Sequence, residues 1–300
     1  MIVSASHRTD IPAFYPAWFR RRLDAGWCKG VNAFSGKAYT VDLSPEGCDG
    51  FVFWTKNAGP FMDALAEVHA RGFPFVVQYT ITAYPRALET SVIDAERSIA
   101  RMHEIAERFG PATLVWRYDP VLFSDLTPPQ WHRETVAWLA ERLDGASDEA
   151  VFSVAQLYRK TLRNTNAAAE RHGFAWWNPP AEQKSALLDE LARTVQRHGF
   201  APRLCAQPEL RPDPLFSPVE PARCIDAERL SRIAGHDIGR QKARGARTGC
   251  ECHQARDIGA YDTCPHGCCY CYAVQHPDVA KRRYRAHDPD SAFLVPPGGA

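Results

Sequence analysis

The sequence predicts an α/β protein of (β/α)6 type, a partial or closed barrel with a loop-rich, cysteine-containing C-terminal region. Three observations carry this. Short, near-continuous apolar runs alternate with helical patterns along the first two thirds of the chain, as expected of a parallel sheet covered by helices. Six such strand units fit a barrel, with a doubly wound open sheet as the rival. Beyond position 208 prolines cluster at 208, 212, 214, 218 and 221, and six of the ten cysteines fall between 250 and 271.

The elements follow in order. Ile2–Ser6 reads as a strand, ended by the polar turn His7-Arg8-Thr9-Asp10, and Pro12–Leu23 as a helix with proline near its start. Gly50–Thr55 is the second strand, and Pro60–Arg71 carries Phe61, Leu65 and Val68 at helical spacing. Phe75–Thr80 is the third strand, and Ser91–Phe109 a helix with Ile93, Ile99, Met102 and Ile105 on one face. Strands at 113–118, 150–154 and 201–205 alternate with helices at 128–143 and 185–198. The stretch 208–254 reads as a loop-rich excursion with one helix at 227–233. The expected division is a barrel core over 1–207 and a cysteine-rich region over 208–300 packed on it.

The 300 residues are 45% hydrophobic, enough for a sizeable core, and the formal charge of +1 gives no global demand for nucleic acid or an anionic membrane. No apolar run approaches a membrane span, and the N-terminus lacks the pattern of a signal peptide, so a cytoplasmic protein is expected. The basic stretch Arg240-Gln-Lys242-Ala-Arg244-Gly-Ala-Arg247 is either a solvated loop or a phosphate contact.

In a reducing compartment, crowded cysteines hold metal more often than they form disulfides. Cys264, Cys268 and Cys271 have the spacing Cys-x3-Cys-x2-Cys, with Tyr270 before the third. Three thiolates so placed can hold a [4Fe–4S] cluster and leave one iron open. The alternative is a closed zinc site completed by His266, Cys269 or Cys252. Cys205, Cys224, Cys250 and Cys252 form a second set of four, able to hold a second Fe–S cluster or zinc, against the alternative that Cys205 and Cys224 are small buried hydrophobes.

In parallel α/β folds the working groups collect where strands end. That rule marks Thr9, Asp10, Lys56, Thr80, Thr82 and Arg117. Each has an ordinary alternative: Asp10 as a helix cap, Lys56 as a solvated lysine, Thr80 as a plain strand residue, Arg117 with Asp119 as a buried structural pair.

The string Thr263-Cys-Pro-His-Gly-Cys-Cys-Tyr-Cys-Tyr-Ala273 resembles the cluster motif of radical S-adenosylmethionine enzymes, and within them the spore photoproduct lyase branch. Ser4–Asp10, Trp54–Asn57, Tyr79–Thr82 and Arg117–Pro120 resemble segments that follow the motif in that branch. There the motif lies after the first strand; here it comes last, so the resemblance implies a circularly permuted barrel. The whole chain also resembles the bacterial family called domain of unknown function 1848. The radical-enzyme resemblance implies S-adenosylmethionine on the open iron, its reductive cleavage to a 5′-deoxyadenosyl radical, and hydrogen abstraction from substrate. It further implies an electron donor such as flavodoxin or ferredoxin. Asp10, Lys56 or Arg117 would meet the methionine end of the cofactor, and Thr80 and Thr82 its ribose. A second function class is a non-enzymatic zinc or Fe–S module acting in redox sensing or interaction.

Overall fold

The computed structural model describes residues 1–32, 35–239, 242–243, 245 and 248–297; Arg240, Arg244 and Arg247 of the basic stretch lie outside the described residues. In chain order the elements are β1 (Ile2–Ala5), α1 (Ile11–Phe14), α2 (Pro16–Ala25), β2 (Trp27–Val31), β3 (Ala38–Asp42), β4 (Gly50–Thr55), α3 (Met62–Ala70), β5 (Phe75–Thr80), α4 (Ala95–Phe109), β6 (Leu114–Val121), α5 (Pro129–Arg142), β7 (Glu149–Val154), α6 (Arg159–His172), α7 (Ala181–Arg197), β8 (Ala201–Leu204), β9 (Glu220–Pro221), α8 (Ala227–Ala234), β10 (Ala255–Asp257) and α9 (Pro277–Arg285). All six expected strands are present.

Eight strands form one sheet in the order β10-β1-β4-β5-β6-β7-β8-β9, and every pairing is parallel. From β1 to β9 spatial order follows chain order. Right-handed crossovers in such a series all fall on one side of the sheet, which separates it from a doubly wound sheet, where the order reverses. The packing agrees. Val3, Phe51, Phe53, Phe75, Val77, Leu114, Trp116 and Phe152 share one core with Trp18 and Phe19 of α2, Leu65 of α3, Met102 of α4, Leu139 of α5 and Leu191 of α7. The alternate residues Ile2, Val52, Val76, Val115 and Val151 face the other way and pack on Ala227 and Leu230 of α8. Among the described residues no pairing joins the edge strands β10 and β9, so the sheet is a mostly parallel α/β layer with free edges.

The region after 207 is not separate from this sheet. It contributes β9 and β10, and β10 pairs with β1 in the register Ile2↔Ala255 to Ser4↔Asp257. Last and first strands therefore lie side by side. Because all strands run one way, the loop after β10 and the turns after β1, β4 and β5 open onto the same rim.

Three local departures from the sequence reading have simple causes. The first helix breaks in two at Tyr15, ahead of Pro16. The helix expected from Ser91 begins at Ala95, where Asp94 caps it by accepting from Arg97 N–H. An antiparallel hairpin, β2 with β3, stands apart from the main sheet. Among the described residues no helix is long and apolar enough to cross a membrane.

Candidate functional site

The cysteine loop 264–271 is moored to the rim by contacts from several elements. Tyr15 of the α1–α2 break donates its hydroxyl to Thr263 O at 2.6 Å. The stretch after β5 runs beside the loop: Cys269 N–H donates to Leu88 O at 3.0 Å, and Ser91 N–H to His266 O at 2.8 Å. Gly267 has φ +72°, and a Cβ there would stand 3.1 Å from Thr90 Cβ, so the turn needs glycine for both reasons. Tyr272 donates to His7 O at 2.6 Å.

Asp10 organises the junction. Its Oδ1 accepts from Ala13 N–H at 2.9 Å and caps α1. Its Oδ2 lies 2.7 Å from Lys56 N and 2.7 Å from His266 Nε2. One carboxylate thus joins the ends of β1 and β4 to the cysteine loop, which makes the capping role of Asp10 one part of a larger one. Thr9 Oγ1 and His266 Nδ1 are buried polar atoms without a hydrogen-bond partner among the described residues.

Lys56 is not a solvated lysine. Its ammonium meets Glu89 Oε1 at 2.8 Å, and Glu89 also accepts from Thr82 Oγ1 at 2.7 Å and from the Tyr270 hydroxyl. Burial opposes both charges, and their mutual attraction outweighs it: Lys56 is held above and Glu89 below its usual range. Glu89 escaped the sequence reading because it sits in an irregular stretch with no motif around it. Thr80 and Thr82 line a cavity of about 250 Å³ together with Tyr84, Arg86, Glu89 and Ser98. A larger concavity, about 550 Å³, is lined by Tyr158, Arg159, Lys160, Arg163 and Gln275.

The three loop thiols are close enough to influence one another. Burial pushes all three up; Asp10 and Cys271 add to this at Cys264, and Glu89 adds to it at Cys268, where Lys56 opposes. Ala273 N–H donates to Cys271 Sγ at 3.3 Å, and backbone groups of His266 and Asp10 act to lower the Cys264 thiol against its burial. Such donors stabilise thiolates and suit a metal-bound state. Cys269 is buried in an apolar cluster with Tyr84, Leu88, Leu122 and Phe174, against which Cys268 also packs. Among the described residues no group of three or more His, Cys, Asp or Glu side chains is placed to hold a single metal ion. A cubane seats its thiolates on different irons and so spreads them further apart than the ligands of one ion.

Arg117 donates its guanidinium to Gln78 Oε1 at 3.0 Å, to Cys224 Sγ at 2.9 Å and to Asp119, whose charge also acts on Lys56. Trp54 lies under it at 5.1 Å. The cysteines of the second set gather there: Cys205 Sγ is 3.5 Å from Cys224 Sγ, and the thiols of Cys224, Cys252 and Cys250 are near enough to act on one another.

A second buried carboxylate, Asp257 at the end of β10, was also missed. It accepts from Ser6 Oγ at 2.7 Å, pairs with His7 Nδ1 at 2.7 Å, and accepts from Gly259 N–H at 2.9 Å. Burial would raise its pKa, but the charge and hydrogen bond of His7 bring it down to about 2.

Comparison with the curated proteins and with the solved structures found no match. One family model matches residues 2–273, from the first strand to just past the cysteine loop. The chain therefore belongs to the family described as Domain of unknown function (DUF1848).

Proposed function

We propose that this protein is a radical S-adenosylmethionine enzyme whose [4Fe–4S] cluster is held by Cys264, Cys268 and Cys271. The carrying observation is the setting of these thiols. They share one loop on the rim where parallel strands end, Cys264 and Cys271 both act electrostatically on Cys268, and Ala273 N–H donates to Cys271 Sγ at 3.3 Å. Zinc completed by His266 is the second reading, because Asp10 holds its Nε2 and leaves Nδ1 buried and unpartnered, as in a metal-ligating histidine.

When bound, such a cluster with S-adenosylmethionine at its open iron supplies one-electron cleavage of the cofactor and hydrogen abstraction from a substrate. An electron donor such as flavodoxin or ferredoxin would be required. The protein's own residues orient and enclose. Asp10 and His266 hold the Cys264–Cys268 turn against β1 and β4. Glu89 fixes Tyr270 and Lys56 beside Cys268. Thr9, with its unpartnered buried hydroxyl, and Thr80 and Thr82, which line the cavity next to Glu89, have the capacity to hold the cofactor. That cavity, about 250 Å³, is below the roughly 300–1,000 Å³ usual for ligand pockets, so it would take part of the cofactor only. Lys56 and Arg117 already carry ion pairs.

Support for a circularly permuted barrel comes from β10 lying beside β1. The loop that follows the first strand in the resembled enzymes follows here the strand next to β1. Anaerobic reconstitution tests the reading: about four irons per chain at the loop and reductive release of 5′-deoxyadenosine are expected. Stable zinc at the loop with no cofactor cleavage would replace this reading with a non-enzymatic module.

A further inference from the structure

The second set of cysteines lies on the face of the sheet that carries α8. Its members come from three separate places: Cys205 just after β8, Cys224 before α8, and Cys250 with Cys252 before β10. Cys205, Cys224 and Cys252 are buried and pack with Val76, Val115, Val151 and Leu230. Between 206 and 254 the only helix longer than a single turn among the described residues is α8, so the segment has little regular backbone of its own to hold these sulfurs together.

Three independent contacts nevertheless converge on them. Gln78 Nε2, on the sheet, donates to Cys224 O at 2.9 Å. Arg117 Nη1 donates to Cys224 Sγ at 2.9 Å. Gly249, at φ +74°, packs so close to Pro208 that a Cβ would stand 2.5 Å from its Cδ, which brings the Cys250 turn against the segment after Cys205. A thiol is a weak acceptor, whereas a thiolate is a strong one for a guanidinium. A buried arginine aimed at sulfur is the kind of outer hydrogen bond that a metal-bound thiolate receives.

The Cys205–Cys224 spacing fits two ligands of one tetrahedral metal ion and excludes a disulfide. Two thiolates on one tetrahedral zinc, with bonds of about 2.3 Å, stand about 3.8 Å apart. Cys205 and Cys224 stand 3.5 Å apart. A disulfide needs about 2.05 Å. Two ligands of a cubane sit on different irons and are held wider than the edge of a single-ion tetrahedron. The Cys224, Cys252 and Cys250 thiols are near enough to act on one another, while among the described residues no three of them are yet placed around one ion.

We infer that Cys205, Cys224, Cys250 and Cys252 form a structural four-thiolate site for one zinc ion, separate from the loop 264–271. Binding converts four thiols to thiolates and releases four protons to solvent; no electron is transferred. The ion would tie the 206–254 segment to β6 and β8 and fix α8 on the sheet.

The test is made on a chain carrying Cys264→Ala, Cys268→Ala and Cys271→Ala, so that the fate of the loop cluster does not enter. About one zinc per chain is expected, and zinc-edge X-ray absorption should give four sulfur neighbours at about 2.3 Å. Adding Cys224→Ala or Cys252→Ala should lower zinc content at least about tenfold. The proposal is overturned if the triple variant is metal-free, holds iron as a single ion or a cluster, or carries a Cys205–Cys224 disulfide by intact mass. Should those further variants fail to fold, the zinc-edge spectrum of the triple variant decides, because a coordination shell with nitrogen or oxygen in place of the four sulfurs excludes the assigned ligands. If the triple variant itself fails to fold, the same spectrum of the wild-type chain serves, its zinc content compared between wild type and Cys250→Ser: equal content overturns the site.

Discussion

Asp10 and His266, 256 residues apart in the chain, meet at 2.7 Å through Oδ2 and Nε2. The same oxygen takes the Lys56 amide and the other oxygen caps α1. The start and the end of the polypeptide are thus tied at one buried carboxylate beside Cys264.

Asp10→Ala should therefore cost more than a cap. A lost cap is worth about 1 kcal/mol and a buried donor left unmade about 1–3 kcal/mol, so a total of about 2–4 kcal/mol is expected in urea denaturation. Iron retention at the loop should fall as well, although Asp10 is no ligand. A loss no larger than that of a simple cap variant would show that the tie to His266 carries no weight.

Cys268→Ala and Cys269→Ala separate ligand from bystander. After anaerobic reconstitution the first should drop from about four irons per chain to below about one, and the second should keep its iron. Cys269→Ala should show only the small destabilisation of a lost buried atom, about 1 kcal/mol. The reverse pattern of iron contents would reassign the ligand set.

Glu89→Gln leaves the Lys56 ammonium buried without its counter-charge. Breaking such a pair from one side costs about 3–5 kcal/mol, whereas Glu89→Leu combined with Lys56→Met should recover much of it. Thermal unfolding of the two variants beside the wild type checks both statements, and equal stability of single and double variants would refute them.

His132 supplies a pH dependence. It is fully buried between Tyr118 OH at 2.7 Å and Leu122 O at 3.1 Å, and burial lowers its pKa to about 4 against hydrogen bonds that raise it. Between pH 6.5 and about 4 the unfolded chain takes up a proton that the folded chain refuses. Stability contributed by the neutral ring is complete above 6.5 and lost as pH falls, by about 3 kcal/mol at the lower end. His132→Gln should remove that share of the slope in urea midpoints measured across this window. An unchanged slope would assign the acid sensitivity to other groups.

The long strands were legible because they are apolar on both faces, the side of α2–α5 and the side of α8, and read as unbroken runs. β9 and β10 were not, since two and three residues carry no pattern and become strands only by pairing with β8 and β1. α6 buries only Thr161 and Thr165, and α9 only Ala280, so neither shows an apolar stripe. Cys264, Cys268 and Cys271 stood out because their spacing is local. Glu89, joined to Tyr270 across 181 residues, and Asp257, joined to Ser6 across 251, had no local signal.

By itself the sequence determined the alternation of strand and helix and the three-thiol loop, because both depend on neighbours a few positions apart. Only the tertiary structure decided that the last strand lies beside the first, that Lys56 answers Glu89, and that Arg117 turns to Cys224. Those outcomes depend on which distant groups share a space without water, where each buried charge must find a partner, and no local pattern encodes that choice.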